Sequence, residues 1–282
     1  KGVSPWMSGI LLETDGEDKL VATATNGMQT ITQSTTCTVS VGGKILLYGK
    51  LFTSIASKLP NGDCEIDATS GKRANIKMHG YSTNLSLLDP SDFVSKGDCV
   101  GETKTLYVVA SELINAFKTV FYAMAVQDTR AQLIAANMCY KGDKVFVCGL
   151  NGFQLGVYGF KANLSSGATE WDTTIPRKCV SDIMSLIPPT DKEIQITTDG
   201  THAVVTYDNI SVKTILVAGA YINYQQIIKS TEANIKVMAD VKQLKGAVER
   251  VMILCEGKNR VLRVYVNSND GTLAVAAKGE TG

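Results

Sequence analysis

The groups best able to do chemistry in this sequence are two histidines, seven cysteines and a few acidic clusters. His79 lies in IKMHGYS and His202 in DGTHAVV. Both sit where strand-like residues meet a turn, and both are read as structural. Cys37, Cys64, Cys99, Cys139, Cys148, Cys179 and Cys255 form no CxxC pair. With only two histidines beside them, no metal-ligand spacing arises. There is no nucleophile elbow, phosphate-binding loop or dinucleotide fingerprint, and the glycines of GLNGFQLG, from Gly149, stand at the wrong spacing. LLDPSDF, from Leu87, and DGED, at 15–18, have the Asp-Gly-Pro composition of turns, not of a two-metal site. One catalytic alternative stays open: a cytosolic enzyme with a site between repeats around Cys148 or Cys179. The main expectation is no catalytic residue, no metal and no cofactor.

A second kind of chemistry needs only cations on exposed helix faces. Four windows, 49–59, 111–125, 177–187 and 240–250, carry apolar residues at helical spacing. Their stripes are Phe52, Ile55, Ala56 and Leu59; Leu113, Phe117, Val120, Phe121 and Met124; Val180, Ile183, Met184 and Ile187; and Leu244, Ala247 and Val248. Ser111 is the expected N-cap of the second window, and Pro60 and Pro188 close the first and third. The other faces hold Lys50, Lys58, Lys118, Arg177, Lys178, Lys242, Lys245 and Arg250 against Glu112, Asp182, Asp240 and Glu249. The whole chain carries only +1, so this excess is local to the helices. Local positive charge suits sequence-independent phosphate contact.

These helices are positioned by an internal repeat. KLFTSIASKLPNGDCEI, from Lys50, recurs as KCVSDIMSLIPPTDKEI, from Lys178, at an offset of 128. LLDPSDF, from Leu87, matches ILVAGAY, from Ile215, at the same offset. LVATATNGMQ and VFVCGLNGFQ, offset by 125, each run an alternating strand into Asn-Gly, a strong hairpin signal. A third copy opens near Glu232: VKQLKGAVERVMIL aligns with SELINAFKTVFYAM, and TLAVAAKG with KVFVCGLN. One-faced helices among short alternating strands predict an α+β repeat with helices laid on antiparallel sheets. The expected domains are 1–103, 104–230 and 231–282. By this count the first repeat lacks roughly 20 opening residues and the third roughly 77 closing ones.

The remaining composition bounds the setting. At 282 residues, 44% hydrophobic and 20% charged, the chain can build two or three packed cores and is not a disordered polymer. No apolar run reaches the roughly 18 residues of a membrane span. KGVSPWMSGILLE lacks the layout of a signal peptide, and scattered, unpaired cysteines fit a reducing cytoplasm.

SGILLETDGEDKLVATATNGMQ, KLFTSIASKLPNGDCEI, YSTNLSLLDPSDF, AVQDTRAQLIAAN, IPRKCVSDIMSLI and VLRVYVNSNDGTLAVAA resemble, in order, successive segments of bacterial DNA sliding clamps, the beta subunits of DNA polymerase III. The resemblance spans nearly the whole chain. It implies a DNA clamp fold: three similar domains per subunit and a homodimeric ring, with sheets outside and helices lining the hole. It implies a non-catalytic processivity factor of a nucleotidyltransferase holoenzyme that encircles double-stranded DNA, at the nucleoid in the cytoplasm. The implied protein partners are the replicative DNA polymerase catalytic subunit, a clamp-loader ATPase, and other clamp-binding repair and replication proteins. Lys50, Gln127, Arg177 and Lys178 are carried over as DNA-facing, and the helix charges add Lys58, Lys118, Lys242, Lys245 and Arg250. A partner-peptide pocket is implied at Arg130, Gln132, Leu150, Gly152, Phe153, Gln154, Leu155, Ile222, Gln226 and Ile227. The family's usual Thr-Asp-Gly-His-Arg-Leu here reads LNGFQL and its Phe-Pro-Asp-Tyr reads YINY, so Gln154 and Gln226 stand where arginines are customary.

Overall fold

The computed structural model describes residues 5–94, 99, 101–165, 168–231, 235–253, 255 and 261–277. The chain divides into two compact units, Lys1–Asn223 and Tyr224–Gly282. The first unit begins with a 3-10 turn, Pro5–Ser8, and four strands, β1 (Gly9–Thr14), β2 (Lys19–Thr25), β3 (Gln29–Thr36) and β4 (Lys44–Tyr48). Helix α1 (Gly49–Ala56) and strands β5 (Cys64–Asp67), β6 (Arg73–Met78) and β7 (Tyr81–Leu88) follow. Then come β8 (Lys104–Val109), α2 (Ala110–Phe121), β9 (Ala135–Lys141), β10 (Lys144–Leu150), β11 (Leu155–Lys161) and β12 (Asn163–Leu164). The unit closes with β13 (Trp171–Pro176), α3 (Arg177–Leu186), β14 (Glu193–Thr198), β15 (His202–Tyr207) and β16 (Ile210–Ile215).

The sequence repeat reappears as strand order. β11-β10-β9-β13 form one sheet, and β3-β2-β1-β4 run in the matching order. The segment after each of β4 and β13 is a helix followed by a three-strand meander, β5-β6-β7 or β14-β15-β16. The two copies join edge to edge. β3 pairs antiparallel with β16, setting Ile31 opposite Val212, and this makes one sheet of twelve strands. Such pairing satisfies two rows of edge amides and carbonyls that each copy alone would leave open.

The Asn-Gly turns are built alike. Asn26 Oδ1 accepts the amides of Met28 and Gln29 at 3.0 and 2.8 Å, and Asn151 Oδ1 those of Phe153 and Gln154 at 3.0 and 2.8 Å. Gly27 and Gly152 take φ of +82° and +89°, which a side chain would strain. Asp199 and Gly200 repeat the device before His202.

The core of the second copy buries Leu113, Ile114, Phe117 and Val120 of α2 and Cys179, Val180 and Ile183 of α3 among the strands. The first copy's core is smaller: Leu12, Leu47, Ala74, Ile76 and Leu85, with Phe52, Ile55 and Leu59 only half-buried against it. Three details differ from expectation. Helix α2 starts at Ala110, and Ser111 is not its cap; the amides of Ala110 and Ser111 donate instead to the backbone carbonyls of Lys192 and Thr190. It also ends at Phe121, so Met124 is buried from a turn and not from the helix. Ala56, assigned to an apolar stripe, is exposed.

The second unit contains α4 (Tyr224–Ser230), α5 (Val241–Met252) and a hairpin of β17 (Leu262–Asn267) and β18 (Thr272–Ala277). Asp240 caps α5 by accepting the Gln243 amide at 2.9 Å. The seven-residue α4 was not foreseen in the sequence. Glu232, where the third copy was expected to open, lies outside the described residues.

Candidate nucleic-acid interface

The predicted cations sit on or beside helices. Lys50 and Lys178 are the second residues of α1 and α3, and Lys118 lies in the last turn of α2; all three are exposed. Lys58 is exposed just beyond α1, and Gln127 is exposed in the loop after α2. Lys242, Lys245 and Arg250 are exposed on α5, where Lys245 faces Glu249 at 3.7 Å. Asn115, Lys118 and Thr119 make the outward stripe of α2, opposite Phe117 and Val120, and exposed Tyr122 follows just past its end.

The equivalent lysines Lys50 and Lys178 differ electrostatically. A cation in a helix's first turn opposes the helix dipole. Lys178 is compensated by Asp182 one turn on, and Asp182 also accepts Nε2 of Gln29 at 3.0 Å. At the matching place α1 has Ser54, and no ion pair among the described residues involves Lys50. Lys50 therefore stands in the first turn of α1 against the local helix field, without the carboxylate that compensates Lys178.

Arg177 is placed otherwise than an open phosphate contact. Its Nη1 donates to the carbonyls of Phe121 and Met124 at 2.7 and 2.9 Å, and its guanidinium lies 3.9 Å over the Phe121 ring. The group is half-buried, and burial holds its pKa below the usual value. It caps carbonyls at the end of α2, where a cation also favours the dipole.

Part of the predicted partner pocket comes together in the first unit. Leu150, buried, packs with Leu133 and Ala125, and Leu155, Ile222 and Ile134 lie against them. Around this cluster, Arg130 forms a fork with Asp128 at 3.0 and 3.2 Å, holding that carboxyl below its ordinary range. Gln132 Nε2 donates to the Ala218 carbonyl at 3.3 Å. Gln154 accepts from the Asn151 amide group at 3.1 Å, in the same turn as Gly152. Phe153 projects from that turn with 98% of its surface exposed. Gln226 and Ile227 lie on α4 in the second unit. Leu133, Ala125 and Ile134 were missed in the sequence, although QLIAA after the Gln-Asp-Thr-Arg segment marks an apolar return to the core.

The alternative nucleophiles do not hold. Cys148 and Cys179 are fully buried, and burial pushes both thiols up to about 12. At neutral pH neither supplies thiolate. His202 contacts Asp199 and Thr201 in its own turn, and His79 is exposed in the β6–β7 turn. No group of three or more His, Cys, Asp or Glu among the described residues could hold a metal ion. A cavity of about 560 Å³ in the first copy, lined by Leu12, Leu20, Ile45 and Ile66 with Cys37 and Cys64, contains none of the predicted site residues. No helix of the described residues is long and apolar enough to cross a membrane.

The fold is that of a repeat-built α+β chain of the DNA clamp class. Its fold matches a putative DNA polymerase III beta subunit from Eubacterium rectale, with a TM-score of 0.86 at 18% identity over 99% of this chain and 79% of that one. It matches the Pseudomonas aeruginosa subunit with a TM-score of 0.82 at 21% identity, over 99% and 80% of the two chains. Residues 108–223 match the family described as DNA polymerase III beta subunit, central domain. Beta sliding clamps from Synechococcus elongatus and Synechocystis are 25% and 22% identical. The alignments cover 98% of this chain and 74% and 75% of those relatives. The chain is thus similar to bacterial beta sliding clamps over nearly its whole length.

Proposed function

We propose that this chain is the ring-forming sliding clamp of a replicative DNA polymerase, a processivity factor that encircles duplex DNA and reads no sequence. In this reading it has three clamp domains, at 1–103, 104–230 and 231–282, and two copies close the ring. The helices line the hole with Lys50, Lys58, Lys118, Lys178, Lys242, Lys245, Arg250 and Gln127, and the sheets form the rim. The observation that carries the reading is the β3–β16 pairing, which extends one sheet across two copies of the repeat while Lys50, Lys118 and Lys178 stay exposed on the helices.

The physics is topological. A closed ring cannot leave a duplex sideways, so affinity need not hold it there, and weak, salt-sensitive phosphate contacts permit sliding. The ring performs no chemistry of its own; it raises the processivity of a nucleotidyltransferase by tethering its catalytic subunit. A clamp-loader ATPase opens it, and repair and replication proteins take turns at the apolar pocket around Leu150, Leu155 and Ile222. Its working place is the nucleoid in the cytoplasm.

Changing Lys50, Lys118 and Lys178 together to Glu tests the interface. The reading expects retention on loaded circular duplex to fall by at least tenfold at moderate salt, since losing the phosphate contacts of Lys50 and Lys118 alone, with Lys178 tied to Asp182, changes the logarithmic salt slope by about 1.8. Unchanged loading and retention would leave a scaffold that binds proteins and not DNA.

A further inference from the structure

We infer that Arg177 is a positioning residue, setting where Gln127 and Lys118 stand relative to α3 and not itself contacting phosphate. The inference rests on the DNA-binding reading above and deepens it. A single nitrogen, Nη1, bridges the carbonyls of Phe121 and Met124, which bracket the turn where α2 gives way to the loop carrying Gln127. The guanidinium carbon lies 3.9 Å from the Phe121 ring centroid, so the ring covers one side of the group. The loop holds itself by two backbone bonds, from the Ala123 amide to Val120 O at 3.0 Å and from the Ala125 amide to Leu133 O at 2.8 Å. Arg177, the first residue of α3, adds a polar tether from this helix, which presents Lys178, to the loop and the end of α2, beside the apolar packing of Val120 with Val180 and Ile183. The first copy has no counterpart, because Gly49 begins α1 at the matching position. A lysine would keep the charge of Arg177 but not the planar fork or the stacking.

Arg177→Lys separates the two roles. Hydrogen exchange of the free protein should quicken about tenfold or more at the Ala123 and Ala125 amides, with β14–β16 unchanged. Duplex binding should weaken while its logarithmic salt slope stays at the wild-type value. The effect of Gln127→Ala should shrink in the Arg177→Lys background, a coupling that a purely global loss of stability would not produce. Phe121→Leu, which removes the ring and leaves the carbonyls, should show a smaller rise in the same exchange. The inference is overturned if Arg177→Lys binds duplex as wild type does while Arg177→Ala lowers the slope by about 0.9, the signature of one phosphate contact. If the wild-type protein holds no duplex at all, the DNA-binding reading fails by itself. The exchange result then decides the tether alone, and unchanged exchange overturns it.

Discussion

Gln29, at the start of β3, donates its side-chain amide to the carboxylate of Asp182 on α3 at 3.0 Å, across 153 residues of sequence. Gln29 is buried, and the same carboxylate receives the Lys178 ammonium, so one acid joins the two copies and quiets a helix cation. A hydrogen bond to a charged group of this kind contributes about 1.5–3 kcal/mol. Gln29→Ala is expected to lower the unfolding free energy of the protein by about that amount in urea titration. A loss below about 0.5 kcal/mol would mean that the bridge adds nothing to the β3–β16 junction.

Asp182→Asn keeps an acceptor oxygen for Gln29 but releases Lys178. Duplex binding should tighten and its logarithmic salt slope steepen by about 0.9, one further phosphate contact. A salt titration of binding to a short duplex reads both, and an unchanged slope would remove Lys178 from the interface.

Neighbouring residues on α2 should respond oppositely. Phe117 is fully buried and Lys118 is exposed. Phe117→Ala should cost about 3–5 kcal/mol of stability. Lys118→Ala should stay within about 0.5 kcal/mol of wild type and weaken only DNA binding. Chemical denaturation with a parallel binding assay checks the pair.

The buried thiols give a pH dependence of known sign. Cys148 and Cys179 have folded-state pKa values pushed up to about 12, whereas an unfolded thiol ionises near 8.5. Above that lower value the unfolded chain has released protons that the folded chain retains, so their contribution is full below about pH 8 and drains away as pH rises toward 12. The urea midpoint should therefore fall between pH 8 and pH 10, less steeply in Cys179→Ala. In the native protein at pH 8, iodoacetamide should label exposed Cys64 and spare both buried thiols. Rapid labelling of Cys148 or Cys179 would revive the enzymatic alternative.

Much of this was legible in the sequence. The offset of 128 between Lys50 and Lys178 carried through to equivalent helices, and the Asn26 and Asn151 turns follow from Asn-Gly because the geometry is local. The tether at Arg177 was not legible. Its partners are backbone carbonyls, which every residue has, so no side-chain pattern marks them. Asp182 was counted only as an offsetting charge, because the pairing of β3 with β16 that brings Gln29 to it is a long-range event. The start of α2 was misread for a related reason: Ser111 has the right side chain for a cap, but Lys192 and Thr190 supply carbonyls from a distant strand connection. Leu150, Leu155 and Ile222 were readable as an apolar set, yet the cluster they join also holds Leu133 and Ala125, whose apolar character alone does not mark them out from other core residues.

The central claim is that the protein holds DNA by encircling it. Load it on nicked circular duplex with a clamp-loader ATPase, remove unbound protein, cut the circle once, and measure the protein still bound. Encirclement predicts retention on the intact circle for many minutes and rapid loss from the free ends after the cut. Equal retention before and after linearisation would contradict it.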